Sequence, residues 1–118
     1  MASYSAHWYF ARSSPRKIRP FATLIRGKRA DEALELLQFY PNRGARLLEK
    51  VLKSALGNAQ DRGERDLDEL VVTQARVDGG PMLKRVMPRA RGMAYLIRRR
   101  LAHIHVTLSD IEEAWGSS

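Results

Sequence analysis

The side chains best suited to chemistry in this sequence are cations, which lie in two blocks that contain no acid. Residues 1–30 carry seven Lys or Arg, and residues 79–109 carry another seven. An ordinary solvated surface mixes charges of both signs. Within residues 84–100 Arg outnumbers Lys six to one, and the planar guanidinium suits bidentate phosphate contacts and stacking on bases. The two blocks therefore predict two surfaces that face phosphate.

Residues that could support catalysis or bind a metal form no recognisable constellation. His103 and His105 would share one face of a strand, as a pair of metal ligands could, but a third ligand is not evident. The acids of residues 61–69 lack the spacing of a calcium loop, and the GGP at 79–81 is not followed by the remainder of a phosphate-binding loop. We therefore expect no enzymatic activity, no catalytic residue, no metal and no cofactor.

Length and composition limit the possible classes of protein. A chain of 118 residues predicts a single domain. The net charge of +8 and the pI near 10.4 indicate a polyanionic partner, either nucleic acid or an acidic membrane surface. Because there is no Cys, disulfides and thiolate metal sites are excluded. No run of 18 apolar residues is present, so we expect no membrane span.

A helix is expected to position the cations of the first block. Ser13 or Ser14 could serve as its N-cap, Pro15 suits its first turn, and Gly27 suits its C-terminal stop. Pro20 is compatible with this helix only near its first turn or with a kink. One apolar face recurs at helical spacing and comprises Ile18, Phe21, Ala22 and Ile25.

Two further helices are predicted. One would begin with Asp31 as its N-cap and run to Pro41, and the next would begin after Asn42 and end near Gly63. The apolar stripe of the third helix comprises Leu48, Val51, Leu52, Ala55 and Ala59. Another face of that helix carries Arg43, Arg46, Lys50 and Lys53. These cations form either a solvated face or part of a binding surface.

The remaining segments predict strands. Residues 4–12 are rich in aromatic side chains, and residues 67–78 and 103–110 alternate apolar and polar side chains, which indicates an antiparallel hairpin. The 24 residues between Asp78 and His103 form either a long functional loop or a continuation of both strands as a ribbon. A ribbon so rich in cations would repel itself unless phosphates neutralised it, so this segment predicts a polyanionic partner.

Four segments together resemble the family of large-ribosomal-subunit protein twenty-two, of the bacterial type. In order they are ARSSPRKIRPFATLIRGK (11–28), LLEKVLKSALGNAQ (47–60), LVVTQARVDGGPMLKRVMPRARG (70–92) and HIHVTLSD (103–110). The match covers roughly residues 11–110. Its specific part is the combination of SPRK, of GP followed by KR and PRA, and of HI before a terminal strand.

The resemblance implies an α+β fold, with three helices packed on a small three-stranded antiparallel sheet and a long protruding β-hairpin. It implies one domain over residues 1–118, with 79–102 as the hairpin arm and 111–118 as a flexible tail. The implied function is that of a structural constituent of the large ribosomal subunit, which binds ribosomal RNA, aids subunit assembly and lines the nascent-peptide exit tunnel. The implied partners are ribosomal RNA, neighbouring ribosomal proteins and the nascent polypeptide, with no membrane. The protein would be cytoplasmic and ribosome-bound, and a monomer off the ribosome.

The resemblance also assigns site residues. The expected RNA-binding residues are Arg12, Ser14, Arg16, Lys17, Arg19, Arg26, Lys28, Lys84, Arg85, Arg89, Arg91, Arg98, Arg99 and Arg100. The expected tunnel-lining tip comprises Met82, Leu83, Lys84, Arg85, Val86, Met87, Pro88, Arg89 and Ala90. The HWYF of residues 7–10 is more aromatic than the basic N-terminus usual in the family, so it serves either base stacking or the core.

Two other functions compete with this interpretation. A small DNA-binding module could place a β-ribbon in a groove, but it would require symmetric dimerisation, for which no coiled coil or symmetric apolar strand is evident. An RNA-processing enzyme would require carboxylates or a metal constellation near the basic blocks. Most acids lie away from those blocks in the sequence, which argues against the enzyme.

Overall fold

The computed structural model describes residues 3–64, 67–88 and 94–110, with the backbone alone at 68, 81–88, 94–99 and 110. The elements in chain order are β1 (Ser3–Ala11), α1 (Pro15–Ile25), α2 (Ala30–Phe39), α3 (Arg43–Asp61), a short 3₁₀ helix (Leu67–Glu69), β2 (Leu70–Pro88) and β3 (Ala94–Asp110). The strands form one antiparallel sheet in the order β1-β3-β2. The predicted α+β class, with three helices on a three-stranded sheet, is confirmed.

Helix α1 has the cap, face and stop that its sequence predicts. Ser14 is the N-cap and Pro15 occupies the first turn, where its missing N–H has no helical partner to lose. The helix ends at Ile25, and Gly27 follows with a φ of 77° that favours glycine. The buried side of the helix comprises Ile18, Ala22 and Ile25, with Phe21 partly buried beside them.

Helix α2 begins two residues earlier than an N-cap at Asp31 predicts, so the assignment of Asp31 as its N-cap is wrong. Arg29 is the N-cap, since its carbonyl accepts the N–H of Ala33 at 2.8 Å. The same residue pairs with Val71 as an isolated antiparallel bridge. This tertiary contact fixes the entry of the chain into α2 and overrides the local preference of Asp for the cap. Asp31 lies in the first turn, where its carboxylate accepts the N–H of Glu32 at 2.9 Å.

Helix α3 packs against β1 and α2 and crosses close to α1. The predicted stripe is buried in full and comprises Leu48, Val51, Leu52, Ala55 and Ala59. At Gly44 a Cβ would lie 2.8 Å from the carbonyl oxygen of Lys17 and 3.3 Å from the ring of Phe21. Only glycine permits this approach, which brings the N-terminal ends of α1 and α3 together. In the described part of the chain no helix is long and apolar enough to cross a membrane.

The helices pack on one face of the sheet. In the part of the chain that the structure describes no helix covers the other face, which we call the open face. A bulge interrupts the predicted alternation of β2, because its pairing with β3 shifts between Val72 and Gln74. As a result Val72 and Ala75 are buried, whereas Gln74 is exposed. The alternation predicted for residues 67–78 therefore fails at Gln74. The buried side chains of the strands include Tyr4, Ala6, Leu70, Val72, Ala75, Val77, Ala102, Ile104, Val106 and Leu108.

Strands β2 and β3 continue far beyond the residues that the helices cover. They pair from Leu70 opposite Asp110 to Pro88 opposite Ala94, so the segment after Asp78 is a two-stranded ribbon and not a loop. We use "the ribbon" for residues 80–88 and 94–101. The molecule measures 63 × 28 × 25 Å with a radius of gyration of 17.5 Å, against about 13.5 Å for a compact chain of this length.

A second bulge marks the root of the ribbon. The pairing shifts between Gly79, opposite Ala102, and Met82, opposite Arg100, so Gly80 and Pro81 face one residue. Proline cannot donate to a strand ladder and is therefore suited to a bulge. The conformation of β2 at this point thus follows from the GGP sequence.

Candidate nucleic-acid interface

The first cleft, with a volume of about 580 Å³, lies where the N-terminal ends of α1 and α3 meet. Its lining consists of Arg12, Ser13, Ser14, Lys17, Pro20, Phe21, Asn42, Arg43 and Gly44. Both N-cap residues, Ser14 and Asn42, belong to this lining, and neither side chain caps its own helix. Their polar groups are available to a ligand. Among the described residues the cleft is lined by three cations and no acid.

The charges at these two helix ends are opposite to those that stabilise a helix by itself. Acids favour the N-terminal end of a helix, whereas cations there are unfavourable. Helix α2 follows this rule, with Asp31 and Glu32 in its first turn. Helices α1 and α3 have no acid in the first turn, where Lys17 and Arg43 line the cleft instead. A bound anion would neutralise this arrangement, and backbone N–H groups at helix N-termini bind phosphate well.

The second cleft, of about 540 Å³, lies between the start of α1 and the root of the ribbon. It is lined by Pro15, Arg16, Arg19, Gly79, Gly80, Arg100 and Leu101. Arg16 and Arg19 come from the first acid-free block of the sequence and Arg100 comes from the second. The fold therefore joins the two blocks, which the sequence predicted as separate surfaces. The residues described in this lining again include no acid.

Two of the predicted RNA-binding arginines also hold α1 against the sheet. The Nε of Arg19 donates to the carbonyl of Val77 at 3.2 Å, and the Nε of Arg26 donates to the carbonyl of Ala75 at 2.8 Å. Because β2 lies at the edge of the sheet, its outer carbonyls have no strand partner. The bonds from Nε leave the terminal guanidinium nitrogens for a phosphate. No feature of the sequence indicates this second role, because it depends on where the edge strand lies.

Lys28, like Arg26, lines neither of these two clefts. It lines a shallow cleft together with Glu32 and Glu35. The structure therefore does not bring Lys28 into either acid-free cleft. Its backbone has a structural role, since the carbonyl of Lys28 accepts the N–H of Val72 at 2.9 Å.

The other predicted cations belong to the ribbon or lie beyond the described residues. The register pairs Lys84 with Arg98, and Arg85 and Arg99 occupy neighbouring positions of the ladder. Like charges at paired positions disfavour the pairing of two strands, so an anion would stabilise the ribbon. Residues 82–88 of the predicted tip lie on β2. Arg89, Ala90 and Arg91 lie outside the described residues.

The cations of α3 divide between structural and solvent-facing positions. Arg46 donates to the carbonyl of Leu37 and, at 2.6 Å, to that of Tyr40, and so satisfies the C-terminal end of α2. Glu49 forms ion pairs with Arg46 at 2.9 Å and with Lys53 at 3.1 Å. Arg43 instead lines the first cleft. Its position directly after the N-cap, in a first turn without acids, is the sequence signal that could have placed it among the site residues.

The N-terminal aromatic run is divided between packed and exposed positions. Trp8 is half-buried and packs against the core. Tyr9 and Phe10 are 55% and 58% exposed. The core interpretation of this run is therefore correct for Trp8 and wrong for the two residues that follow.

The histidines lie on the open face of the sheet. The Nδ1 atoms of His7 and His105 are 2.6 Å apart, and the Nε2 of His105 lies 3.3 Å from Asp78 Oδ2. Burial lowers the pKa of His105 below its ordinary value of 6.5, Arg76, His7 and His103 lower it further, and Asp78 opposes them. Among the described residues no group of three or more His, Asp or Glu is arranged to hold a metal ion.

The fold and its clefts define a basic α+β protein with a projecting two-stranded ribbon and an acid-free surface suited to phosphate. Residues 6–109 match the family model described as ribosomal protein L22p/L17e. The chain belongs to this family.

Relatives carry the name large ribosomal subunit protein uL22. The protein from Rhodopirellula baltica is 53% identical over 117 residues, which cover 95% of this chain and 98% of the relative. Those from Caldicellulosiruptor saccharolyticus and Desulforamulus reducens are 50% and 52% identical, over 87% and 88% of this chain and 84% and 92% of the relatives. The family predicted from the sequence motifs is thereby confirmed.

Proposed function

We propose that this chain is a structural, non-enzymatic constituent of the large ribosomal subunit, bound to ribosomal RNA in the cytoplasm. The observation that carries the proposal is the first cleft, where two helix N-termini without acids and three cations converge. Such an arrangement disfavours the isolated fold and favours a bound polyanion. The family and the names of the relatives support the same role.

The clefts are suited to reading the shape of a folded RNA. Phosphate and sugar contacts position a protein on nucleic acid but carry little sequence information. The first cleft offers helix N-termini, two polar caps and cations, and the second offers three arginines. Arg19 and Arg26 are fixed through Nε to β2, so little side-chain freedom remains to be lost when a phosphate binds.

The ribbon extends the same surface into the RNA. Two strands alone are marginally stable in water, and paired cations weaken them further, so phosphates are the natural partners of this segment. The tip at residues 82–90 would then reach through the RNA and line the nascent-peptide exit tunnel, where it contacts the nascent polypeptide. Contacts of the ribbon with several RNA segments would aid assembly of the subunit. The remaining partners are neighbouring ribosomal proteins, and off the ribosome the chain is a monomer.

A sucrose gradient of cell lysate tests this function. The tagged full-length chain should co-migrate with the large subunit at moderate salt and remain there at high salt. The variant Arg12→Gln/Lys17→Gln/Arg43→Gln, which neutralises the first cleft, should be released at a lower salt concentration. Lys53→Gln is the matched control, because Lys53 pairs with Glu49 away from both clefts.

Three outcomes would contradict the proposal or the observation that carries it. Recovery of the wild-type chain at the top of the gradient would exclude an integral ribosomal role. Recovery only with DNA would favour the small DNA-binding module. Equal release of the triple variant and of Lys53→Gln would show that the first cleft does not contact RNA.

A further inference from the structure

A third cleft, of about 460 Å³, adjoins the first and lies between the end of β1 and the first half of α3. It is lined by Trp8, Phe10, Arg12, Arg43, Arg46, Leu47 and Lys50. Arg12 and Arg43 line both clefts, so the two form a continuous surface. The volume is within the range of clefts that hold small ligands, about 300–1,000 Å³. Two aromatic rings and four cations, without an acid, line it among the described residues.

The backbone at Phe10 is strained in a way that exposes its ring. Its φ is 61°, and it is the one non-glycine residue with a positive φ in the described chain. An aromatic residue is uncommon in that conformation. It lies in the bulge where the pairing of β1 with β3 shifts between Trp8 and Ala11. The N–H of Phe10 donates to His103 Nδ1 at 3.1 Å, which holds the bulge in place.

Burial of the ring does not compensate for this strain. The side chain of Phe10 is 58% exposed, and its ring contacts that of His103 edge to face at 5.0 Å. A residue without a Cβ would adopt the same backbone more easily. Strained backbone of this kind is concentrated at binding sites. The bulge therefore presents an aromatic ring to a partner.

The other side chains of the cleft supply cations around the rings. The Nζ of Lys50 lies 5.9 Å from the centroid of the Trp8 ring. Arg12, Arg43 and Lys50 are exposed, and none of them forms an ion pair with an acid in the described part of the chain. Arg46 also lines the third cleft, but its guanidinium already binds a carbonyl at the end of α2 and the carboxylate of Glu49. Aromatic faces beside exposed cations are the features that bind unpaired nucleotides, since the base stacks and the phosphate pairs with Arg or Lys.

We propose that the third cleft binds an unpaired nucleotide of RNA, with its base stacked on Phe10 and its phosphates on Arg12, Arg43 and Lys50. The inference rests on the proposed RNA-binding function and names a site within it. A base inside a duplex cannot reach the ring, so the ligand is single-stranded. A peptide partner would have to bring acids to match these cations, and it is the alternative outcome of the test.

Phe39 provides a matched control within the same chain. Its ring is 81% exposed, and it lines a shallow cleft with Lys28, Glu32 and Glu35. The two acids there disfavour a phosphate. Removal of either ring takes away one exposed phenyl group, but only the loss of the Phe10 ring should weaken RNA binding.

Fluorescence of Trp8 can report the binding. The sequence contains two Trp, at positions 8 and 115, so the full-length Trp115→Phe protein carries Trp8 as its single indole. Hexa-adenylate should quench this fluorescence saturably, and a 12-base-pair RNA duplex should do so less. In this background Phe10→Leu should weaken binding of hexa-adenylate about fivefold or more, Phe10→Tyr should retain it, and Phe39→Leu should leave it unchanged.

Phe10→Gly separates binding from folding. Glycine removes the ring and relieves the strained φ, so the protein should be at least as resistant to urea as the wild type while it binds hexa-adenylate more weakly. If Phe10→Gly binds hexa-adenylate like the wild type, the stacking site is excluded.

Ultraviolet cross-linking in intact large subunits tests the same site in the assembled particle. A nucleotide attached to the peptide that contains Phe10 is the expected product, and a cross-link from that peptide to another protein would overturn the proposal. Absence of the chain from the subunit would instead reject the proposed function. A third outcome would reject this site alone. In that case the chain is present in the subunit, Phe10→Gly and Phe39→Leu are retained as well as the wild type, and no cross-link to Phe10 is found.

Discussion

Strands β2 and β3 pair with each other over their described length, yet their two halves are built differently. In the inner half, residues 70–79 and 102–110, the side chains of Val72, Ile104 and Val106 are buried beneath the helices. The outer half is the ribbon, which contains five Lys or Arg and no acid. Backbone pairing extends through both halves and is interrupted only at the two bulges among the described residues. The inner half thus gains free energy from apolar burial, whereas the outer half would gain it from the proposed RNA partner.

The change between the halves occurs at the second bulge. Gly80 and Pro81 oppose the single residue Leu101 there, and the second cleft brings Arg16 and Arg100 to the same place. The apolar core and the proposed RNA-binding surface therefore occupy different parts of the same two strands. Variants in one half should change one of these properties and leave the other nearly constant.

The salt dependence of RNA affinity should show the largest effect. If the clefts and ribbon neutralise about 10 phosphates, the log–log slope should be about −7 to −9, which weakens binding about 10⁴- to 10⁵-fold between 50 and 200 mM salt. Deletion of residues 82–90 removes Lys84, Arg85 and Arg89 and should make the slope shallower by about 2 to 3. Filter binding of a ribosomal RNA fragment across salt concentrations measures both slopes. An unchanged slope after the deletion would show that the tip does not bind phosphate.

The inner half should control stability. Ile104 is fully buried, so Ile104→Ala should lower the free energy of unfolding by about 2–5 kcal/mol, through lost burial and the cavity left behind. Deletion of residues 82–90 shortens the connection between the inner parts of β2 and β3. It should therefore change the free energy of unfolding by no more than about 0.6 kcal/mol. Urea denaturation of the free proteins gives both values. A large loss of stability on deletion of the tip would show that the two halves fold as one unit.

The sequence predicts the inner half well because periodicity reports burial. The stripe of α3 is buried and the face of α1 is buried except for the partly buried Phe21. The N-cap at Ser14 and the stop at Gly27 lie at the predicted positions. Prediction from the local sequence fails at Asp31 and Gln74. In both places a long-range pairing decides the outcome, the bridge of Arg29 to Val71 and the bulge opposite β3.

The candidate site is predictable in composition but not in arrangement. The cations of the two acid-free blocks are visible in the sequence, whereas their meeting in the second cleft depends on how α1 packs on the root of the ribbon. Arg43 and Phe10 give weak local signals, because one follows an N-cap and the other lies in an aromatic strand. Their roles depend on Gly44, which lets α3 approach α1, and on the bulge in β1.

The close crossing of α1 and α3 should be disrupted by a single methyl group at Gly44. A Cβ at Gly44 would lie 2.8 Å from the backbone oxygen of Lys17, so Gly44→Ala should lower the free energy of unfolding by about 1–3 kcal/mol. It should also separate the helix ends of the first cleft and weaken RNA binding. Gly57 lies in the same helix with nothing within 4 Å of its added Cβ, so Gly57→Ala should stabilise by about 0.5–1 kcal/mol. Similar effects at the two glycines would show that the helix crossing is not tight.

The smallest effect concerns pH and again separates the two halves, because His105 lies in the inner half on the open face. The pKa of His105 is lowered by burial, Arg76, His7 and His103, against the attraction of Asp78, so the folded state prefers the neutral imidazole. This contribution to stability is complete above the ordinary pKa of 6.5 and declines as pH falls below it through the folded pKa. One proton limits the slope to about 1.4 kcal/mol per pH unit.

His105→Gln should therefore flatten the dependence of unfolding free energy on pH between pH 7 and 5, as measured by urea denaturation. Asp78→Asn should steepen it, because it removes the group that raises the pKa of His105. The two substitutions change the slope in opposite directions, so a general loss of stability cannot imitate the result. If both variants keep the wild-type slope, protonation of His105 is not linked to folding. The acid sensitivity of the inner half would then have to come from groups other than His105.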